Sequence, residues 1–165
     1  MLEQAVLLLQ PWQPVSTKDG SRVRPLLLPT GVAVGFVSQP ALGSPRWLRW
    51  LTRRTLEFHE APDASLVFTL RRSWGWPSKW QVLDADEHLV GTLHGRAIMD
   101  GLGNLLAVIE APDPQGNGRL LAVNGHELAS FALADDMTQV TFAPEVGGNP
   151  FAKMMLLGAV LTRQE

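Results

Sequence analysis

The sequence predicts a mainly β protein: one antiparallel, closed β-barrel of roughly twelve strands around a buried hydrophobic C-terminal α-helix. Three observations predict it. Turn signals such as Lys18-Asp19-Gly20, Pro29-Thr30-Gly31, Ala61-Pro62-Asp63, Asp84-Ala85-Asp86 and Asp113-Pro114-Gln115-Gly116 recur about every 8–12 residues, the rhythm of an all-β sandwich or barrel. The runs between them are short and rich in Val, Leu, Phe and Thr. After this strand-like chain comes one long apolar run, 151–161, with a helix-opening signal before it.

Taken in order, the expected strands lie near 4–10, 23–28, 31–38, 55–61, 66–73, 79–84, 88–94, 96–100, 104–111, 118–124, 126–133 and 137–143. Leu66, Phe68 and Leu70 share one face of their run, and Ala129, Phe131 and Leu133 oppose Leu128 and Ser130. Period two means one dry face and one wet face. So many short strands exceed what one flat sheet holds, which requires closure or stacking.

Two segments depart from this pattern. Ser44-Pro45 is a helix cap followed by a proline at the first helical position. Trp47, Leu48 and Leu51 then fall opposite Arg46, Arg49 and Arg53, a short amphipathic helix over 44–51. Asn149-Pro150 repeats the cap-then-proline signal and opens a helix that is apolar on nearly every side, with Lys153 inside it. Such a helix is buried all round or lies in lipid. At about 1.5 Å per residue the run covers about 16 Å, half of a ~30 Å hydrocarbon core, so the chain's own strands must surround it.

Length and composition fit this picture. The 165 residues read as a single domain spanning 1–165, with 45% apolar and 18% charged residues and no linker or low-complexity stretch. A net charge of -2 argues against a nucleic-acid partner. The absence of cysteine excludes disulfides and thiolate metal sites. The N-terminal MLEQAVLLLQPW has no basic leader and too short an apolar core for a signal peptide, and no run is long enough to be a transmembrane segment. A cytoplasmic location is the default expectation.

Order and local pattern give the chain a resemblance. One strand ends in Val82-Leu83-Asp84-Ala85-Asp86 and its hairpin returns as Leu89-Val90-Gly91-Thr92-Leu93. A later pair is 105–110 with 119–123, and the closing segment is Pro150-Phe151-Ala152-Lys153-Met154-Met155-Leu156-Leu157-Gly158-Ala159-Val160-Leu161. In these features the chain resembles the tubby C-terminal-like superfamily, in its phospholipid scramblase and LURP-one-related branch, most clearly over 55–162. The resemblance implies a twelve-stranded barrel wrapped around the last helix. It also implies lipid or membrane association, with phosphoinositide head groups as the ligands of tubby-type members. The chain departs from the scramblase pattern before that helix: 142–149 holds Glu145 as its one acid, where a calcium site needs several carboxylates.

Charge asymmetry is the most informative functional feature. Residues 46–80 hold seven basic side chains (Arg46, Arg49, Arg53, Arg54, Arg71, Arg72 and Lys79) against three acids, whereas 81–165 hold four basic and eleven acidic residues. Trp47, Trp50, Trp74, Trp76 and Trp80 also fall in 46–80. Tryptophan suits an interface apolar at one end and wet at the other, and arginine suits phosphates through bidentate hydrogen bonds. These residues, Trp80 aside, are the candidate lipid- or anion-binding set, and anionic phospholipid is the candidate partner, with peripheral membrane association. The plainer alternative is that the tryptophans plug the barrel ends and the arginines solvate its rim.

Other signals are weaker. Asp84-Ala85-Asp86 could be half a metal site, but a DxD in a hairpin is ordinary turn chemistry. His88 and His94 lie about 20 Å apart along one strand and cannot share an ion. No GxSxG, P-loop or HExxH occurs. The expectation is therefore no catalytic residue, no metal site and no cofactor: a non-enzymatic lipid-surface module. Alternatives are a scaffold for a protein partner or small ligand, or an enzyme with an unrecognised site.

Overall fold

The computed structural model describes residues 1–15, 21–40, 54–73, 79–134 and 136–163. Its strands are β1 (Val6–Leu9), β2 (Gln13–Pro14), β3 (Arg22–Leu27), β4 (Ala33–Gln39), β5 (Thr55–Glu60), β6 (Ser65–Arg72), β7 (Lys79–Asp84), β8 (Leu89–His94), β9 (Ala97–Asp100), β10 (Leu105–Ile109), β11 (Gly118–Ala122), β12 (Glu127–Ala134) and β13 (Met137–Phe142). From β3 to β13 each strand pairs antiparallel with the next, and β1 pairs with both β13 and β3. Twelve strands thus close into a barrel. Every expected strand is present, within a few residues of its expected limits. β2 is additional: it pairs with β3 at Gln13 and Pro14, where β1 has already turned away. Two residues are too few for any periodicity to reveal.

Alternation places the core inside the barrel. Leu7 and Leu9, Leu26, Val37, Leu56 and Phe58, Phe68 and Leu70, Val82, Leu93, Ile98, Leu120, Phe131 and Val140 are buried, and their neighbours along each strand face out. Leu66 and Leu133 keep the inward parity of their strands yet are exposed, because they lie beyond the packed zone at the strand ends.

The helix α1 (Pro150–Arg163) fills the interior. Asn149 caps it: its Oδ1 accepts the Ala152 N–H at 3.0 Å. Pro150 occupies the first position, where no N–H is needed. All ten residues from Ala152 to Leu161 are buried, as a helix without a polar face requires. The fit to the wall depends on two glycines. A Cβ on Gly91 of β8 would lie 2.3 Å from the Met99 carbonyl oxygen and 2.6 Å from Met155 Cε. A Cβ on Gly158 would lie 2.8 Å from Leu70 Cδ2 of β6. The helix axis can approach the sheet this closely only where both side chains are missing.

One buried charge interrupts the apolar helix. Lys153, 1% exposed, donates from Nζ to the Gln4 carbonyl oxygen at 3.0 Å and sits 5.4 Å from the centre of the Phe142 ring. Desolvation holds its ammonium below the usual 10.5, against a smaller opposing pull from Glu3. The amphipathic helix expected over 44–51 lies outside the described residues. The two Glu-Ala-Pro-Asp runs, at 60–63 and 110–113, lie at opposite ends of the barrel, as two independent turns do.

Two predictions follow from the enclosed helix. Leu157, fully buried, cannot accept a carboxylate without unfolding the barrel around it. Leu157→Asp should yield no soluble, cooperatively melting protein, as circular dichroism can check. Lys153 is disfavoured as a cation in the folded state, so the unfolded chain binds the extra proton between the lowered folded value and 10.5. Stability should therefore rise with pH through that window. The chain has no tyrosine or cysteine to confuse the titration. Lys153→Met should be more stable than the parent at neutral pH and lack that rise, as chemical denaturation across the alkaline range would show.

Candidate functional site

An up-and-down barrel sends alternate connections to opposite ends. The proximal end, where α1 begins, carries the β3–β4, β5–β6, β7–β8, β9–β10 and β11–β12 turns. The distal end carries the segment after β1, the β8–β9, β10–β11 and β12–β13 connections, and the described flanks of the β4–β5 and β6–β7 connections, Pro40 with Arg54 and Ser73 with Lys79. This division sorts the charges. Among the described residues, the arginines and lysines other than Lys153 and Arg71 lie toward the distal end: Arg22, Arg24, Arg54, Arg72, Lys79, Arg96, Arg119 and Arg163, whereas the Arg71 guanidinium reaches back to Glu87 of the proximal β7–β8 turn. Acids dominate the proximal end, where Glu60, Asp63, Asp84, Asp86, Glu87, Asp100, Glu127 and Glu145 lie. The described distal carboxylates are Glu57, Glu110, Asp113 and Asp136.

The expected binding residues are only partly brought together. Arg54 and Arg72 meet across the β5–β6 pair, where the Arg72 N–H donates to the Arg54 carbonyl oxygen at 2.9 Å. Arg72 has the inward parity of Phe68 and Leu70, and its cross-strand partner is the buried Trp80. Arg71 and Lys79 face outward. Arg71 is committed to an ion pair with Glu87 at 2.8 Å, while Lys79 is exposed opposite His94. Arg46, Arg49, Arg53, Trp47, Trp50, Trp74 and Trp76 lie outside the described residues, in segments whose described neighbours, Pro40 with Arg54 and Ser73 with Lys79, are at the distal end.

The structure adds Arg22 and Arg24, which sequence reasoning did not single out. Both have the inward parity of Leu26 at the distal mouth. Arg22 donates to Gln39 Oε1, its Nε at 3.1 Å, and its guanidinium lies 5.0 Å from the centre of the Trp12 ring. Arg24, 4% exposed, donates to the Gln10 carbonyl oxygen and, at 3.1 Å, to Thr138 Oγ1. The signal was present as Arg22-Val23-Arg24, two cations on the parity of an inward leucine at the start of a strand. The distal mouth therefore places one guanidinium, that of Arg22, beside an indole ring, while the buried Arg24 is spent on acceptors of the chain itself.

The other candidates resolve into turn chemistry. Asp84, Asp86 and His88 bring one ligating atom each within 4.8 Å of one another. Asp84 Oδ1, however, accepts the N–H groups of Asp86 and His88 at 2.9 and 2.8 Å. The same turn recurs twice. Asp100 accepts from Leu102 and Asn104, and Asp113 from Gln115 and Asn117. His59 stacks on Phe36 at 4.8 Å, and its Nδ1 lies 3.0 Å from the Ala64 carbonyl oxygen.

The architecture defines a class: a closed antiparallel barrel built around its own C-terminal helix. The X-ray structure of a protein from Arabidopsis thaliana, AT5G01750, has this fold, with a TM-score of 0.61 at 14% identity over 96% of this chain and 90% of that one. At that identity the likeness is one of fold. No family profile and no curated protein matches the chain.

The three aspartate turns make a testable statement about acid. Hydrogen bonds to their carboxylates hold Asp84, Asp100 and Asp113 below the usual 3.8, led by the His88 N–H for Asp84, the Asn104 side chain for Asp100 and the Asn117 N–H for Asp113. A lowered folded value means that these turns support the fold above 3.8 and lose that support as pH falls through the folded values. Carboxyl NMR titration should place all three below 3.8, and an ordinary or raised value for any one would contradict its turn.

Proposed function

We propose that the chain is a non-enzymatic module of the tubby C-terminal-like kind, on the scramblase and LURP-one-related side, that docks on anionic membrane surfaces through the distal end of its barrel. Phosphoinositide-bearing membranes are the favoured target. The observation that carries this reading is the axial separation of charge: cations collect at the distal end and carboxylates at the other, although the net charge is only -2. Such a molecule is oriented by a negative surface before it touches it. The exposed Arg72 and Lys79 are its described contacts. The connecting segments add, in sequence, Arg46, Arg49, Arg53, Trp47, Trp50, Trp74 and Trp76. Tryptophan settles at the head-group level and arginine forks onto phosphate. No described helix is long and apolar enough to cross a membrane, so association of this kind would be peripheral to the bilayer. The carboxyls with lowered proton affinity serve turns, which supports a binding role rather than proton transfer.

Co-sedimentation with vesicles tests the proposal. Recovery with vesicles containing phosphatidylinositol 4,5-bisphosphate should exceed recovery with neutral phosphatidylcholine vesicles at low salt, and should fall as salt rises. At about 1 kcal/mol per basic residue near the surface, Arg72→Glu with Lys79→Glu should weaken binding at least about tenfold. Asp86→Asn, at the proximal end, should leave it unchanged. Equal recovery with both vesicle types at low salt would overturn the reading.

A further inference from the structure

The β10–β11 connection, 110–117, lies against the outer wall of β11, β12 and β13 and bounds a cleft of about 560 Å³. That is within the range of about 300–1,000 Å³ occupied by small-molecule sites. Sheet register builds its floor. Arg119 pairs with Ser130 and Ser130 with Thr141, so the three stand side by side across three strands. Ala132 pairs with Gln139 in the same face, one step along. The short side chains of Ser130 and Ala132 are what leave room. The overhanging connection is fixed in place: Asn117 Oδ1 accepts the Leu133 N–H at 3.3 Å, and the Asp113 turn locks the residues before it.

The polar groups of this cleft select a class of ligand. Arg119 sends both Nε and Nη2 to one oxygen of Glu110, Oε2, at 2.8 Å each. Among the described residues the other Glu110 oxygen and the remaining guanidinium hydrogens have no further partner, and both residues line the cleft. Their charges cancel each other, and the Asp113 carboxylate leaves the lining one negative charge. The Asp113 carboxylate is occupied by Asn117 and Gln115. What remains is a polar surface on which donors and acceptors alternate: a carboxylate oxygen, guanidinium hydrogens, the Ser130 hydroxyl, and the Thr141 hydroxyl with the Gln139 amide, whose Nε2 lies 3.4 Å from Thr141 Oγ1. A net anion is disfavoured there. A molecule whose every polar group both donates and accepts matches it, and a carboxylate beside a guanidinium can grip two adjacent hydroxyls at once.

We propose that this cleft binds a neutral polyhydroxylated molecule of the mono- or disaccharide class. The site is on the barrel flank and is independent of membrane docking: its ligand carries no charge, so its binding is insensitive to salt.

Two-dimensional amide NMR of the full chain tests this, with D-glucose and maltose as probes and acetate as the charged control, each at millimolar concentration. A saturable response to a sugar, confined to 110–119 and 130–141 and unchanged by added salt, is the expected result. Arg119→Ala should weaken that response at least about tenfold, through loss of charge-assisted hydrogen bonds. Ala132→Trp fills the cleft from an exposed position and should abolish the response while leaving the rest of the spectrum in place. The proposal is overturned if neither sugar shifts these residues, if acetate shifts them and the sugars do not, or if the response survives in Ala132→Trp. Vesicle binding through Arg72 and Lys79 stands or falls separately from each of these outcomes.

Discussion

A barrel of twelve strands must be filled. An eight-stranded barrel closes over its own inward side chains, whereas a wider one leaves a lumen that water occupies unless something else does. Here α1 occupies it. The inward faces of the strands supply leucine, valine and phenylalanine, and the helix meets them with ten consecutive buried residues. Neither partner is stable alone. An all-apolar helix has no soluble free state, and the strands without it would enclose water against apolar side chains. The mutual fit is steric as well as hydrophobic, since Gly91 and Gly158 remove side chains at the points of nearest approach.

Everything outside the lumen is arranged by that closure. Once the strands run alternately up and down around the helix, each connection is assigned to an end by its count along the chain. Residues far apart in sequence, such as Arg22, Arg72 and Arg119, then share one end, while the aspartate turns at Asp84 and Asp100 share the other. The polarity proposed to orient the protein on an anionic surface is a property of topology more than of any basic segment. The saccharide-class cleft arises likewise from register, which aligns Arg119, Ser130 and Thr141 across the outer wall.

Most of the fold was legible in the sequence. Period-two runs such as 66–71 located the strands, and Asn149-Pro150 followed by unbroken apolar residues located the helix. The seam was not legible: β1 pairs with β3 through Leu8 and Leu9 alone, and β2 takes over at Gln13, a hand-over that depends on contacts rather than on local pattern. The site was legible in part. Composition showed a basic stretch over 46–80, but not that Arg71 and Arg72 face opposite sides of the wall, nor that Arg71 is spent on Glu87. Arg22 and Arg24 were hidden because they belong to the basic end only once the barrel is closed. Asp84-Ala85-Asp86 was legible as turn chemistry from its place in a hairpin, and Asp84 Oδ1 accepts the Asp86 and His88 N–H groups.

Native-state hydrogen exchange of the α1 amides tests the enclosed helix most directly. If the barrel and its filling form one cooperative unit, the amides of the buried stretch, 154–161, should exchange only through global unfolding, with the same free energy as the central amides of β6 and β7. Exchange of those helix amides at a markedly lower free energy than the strands, through a local opening that leaves the barrel intact, would contradict it.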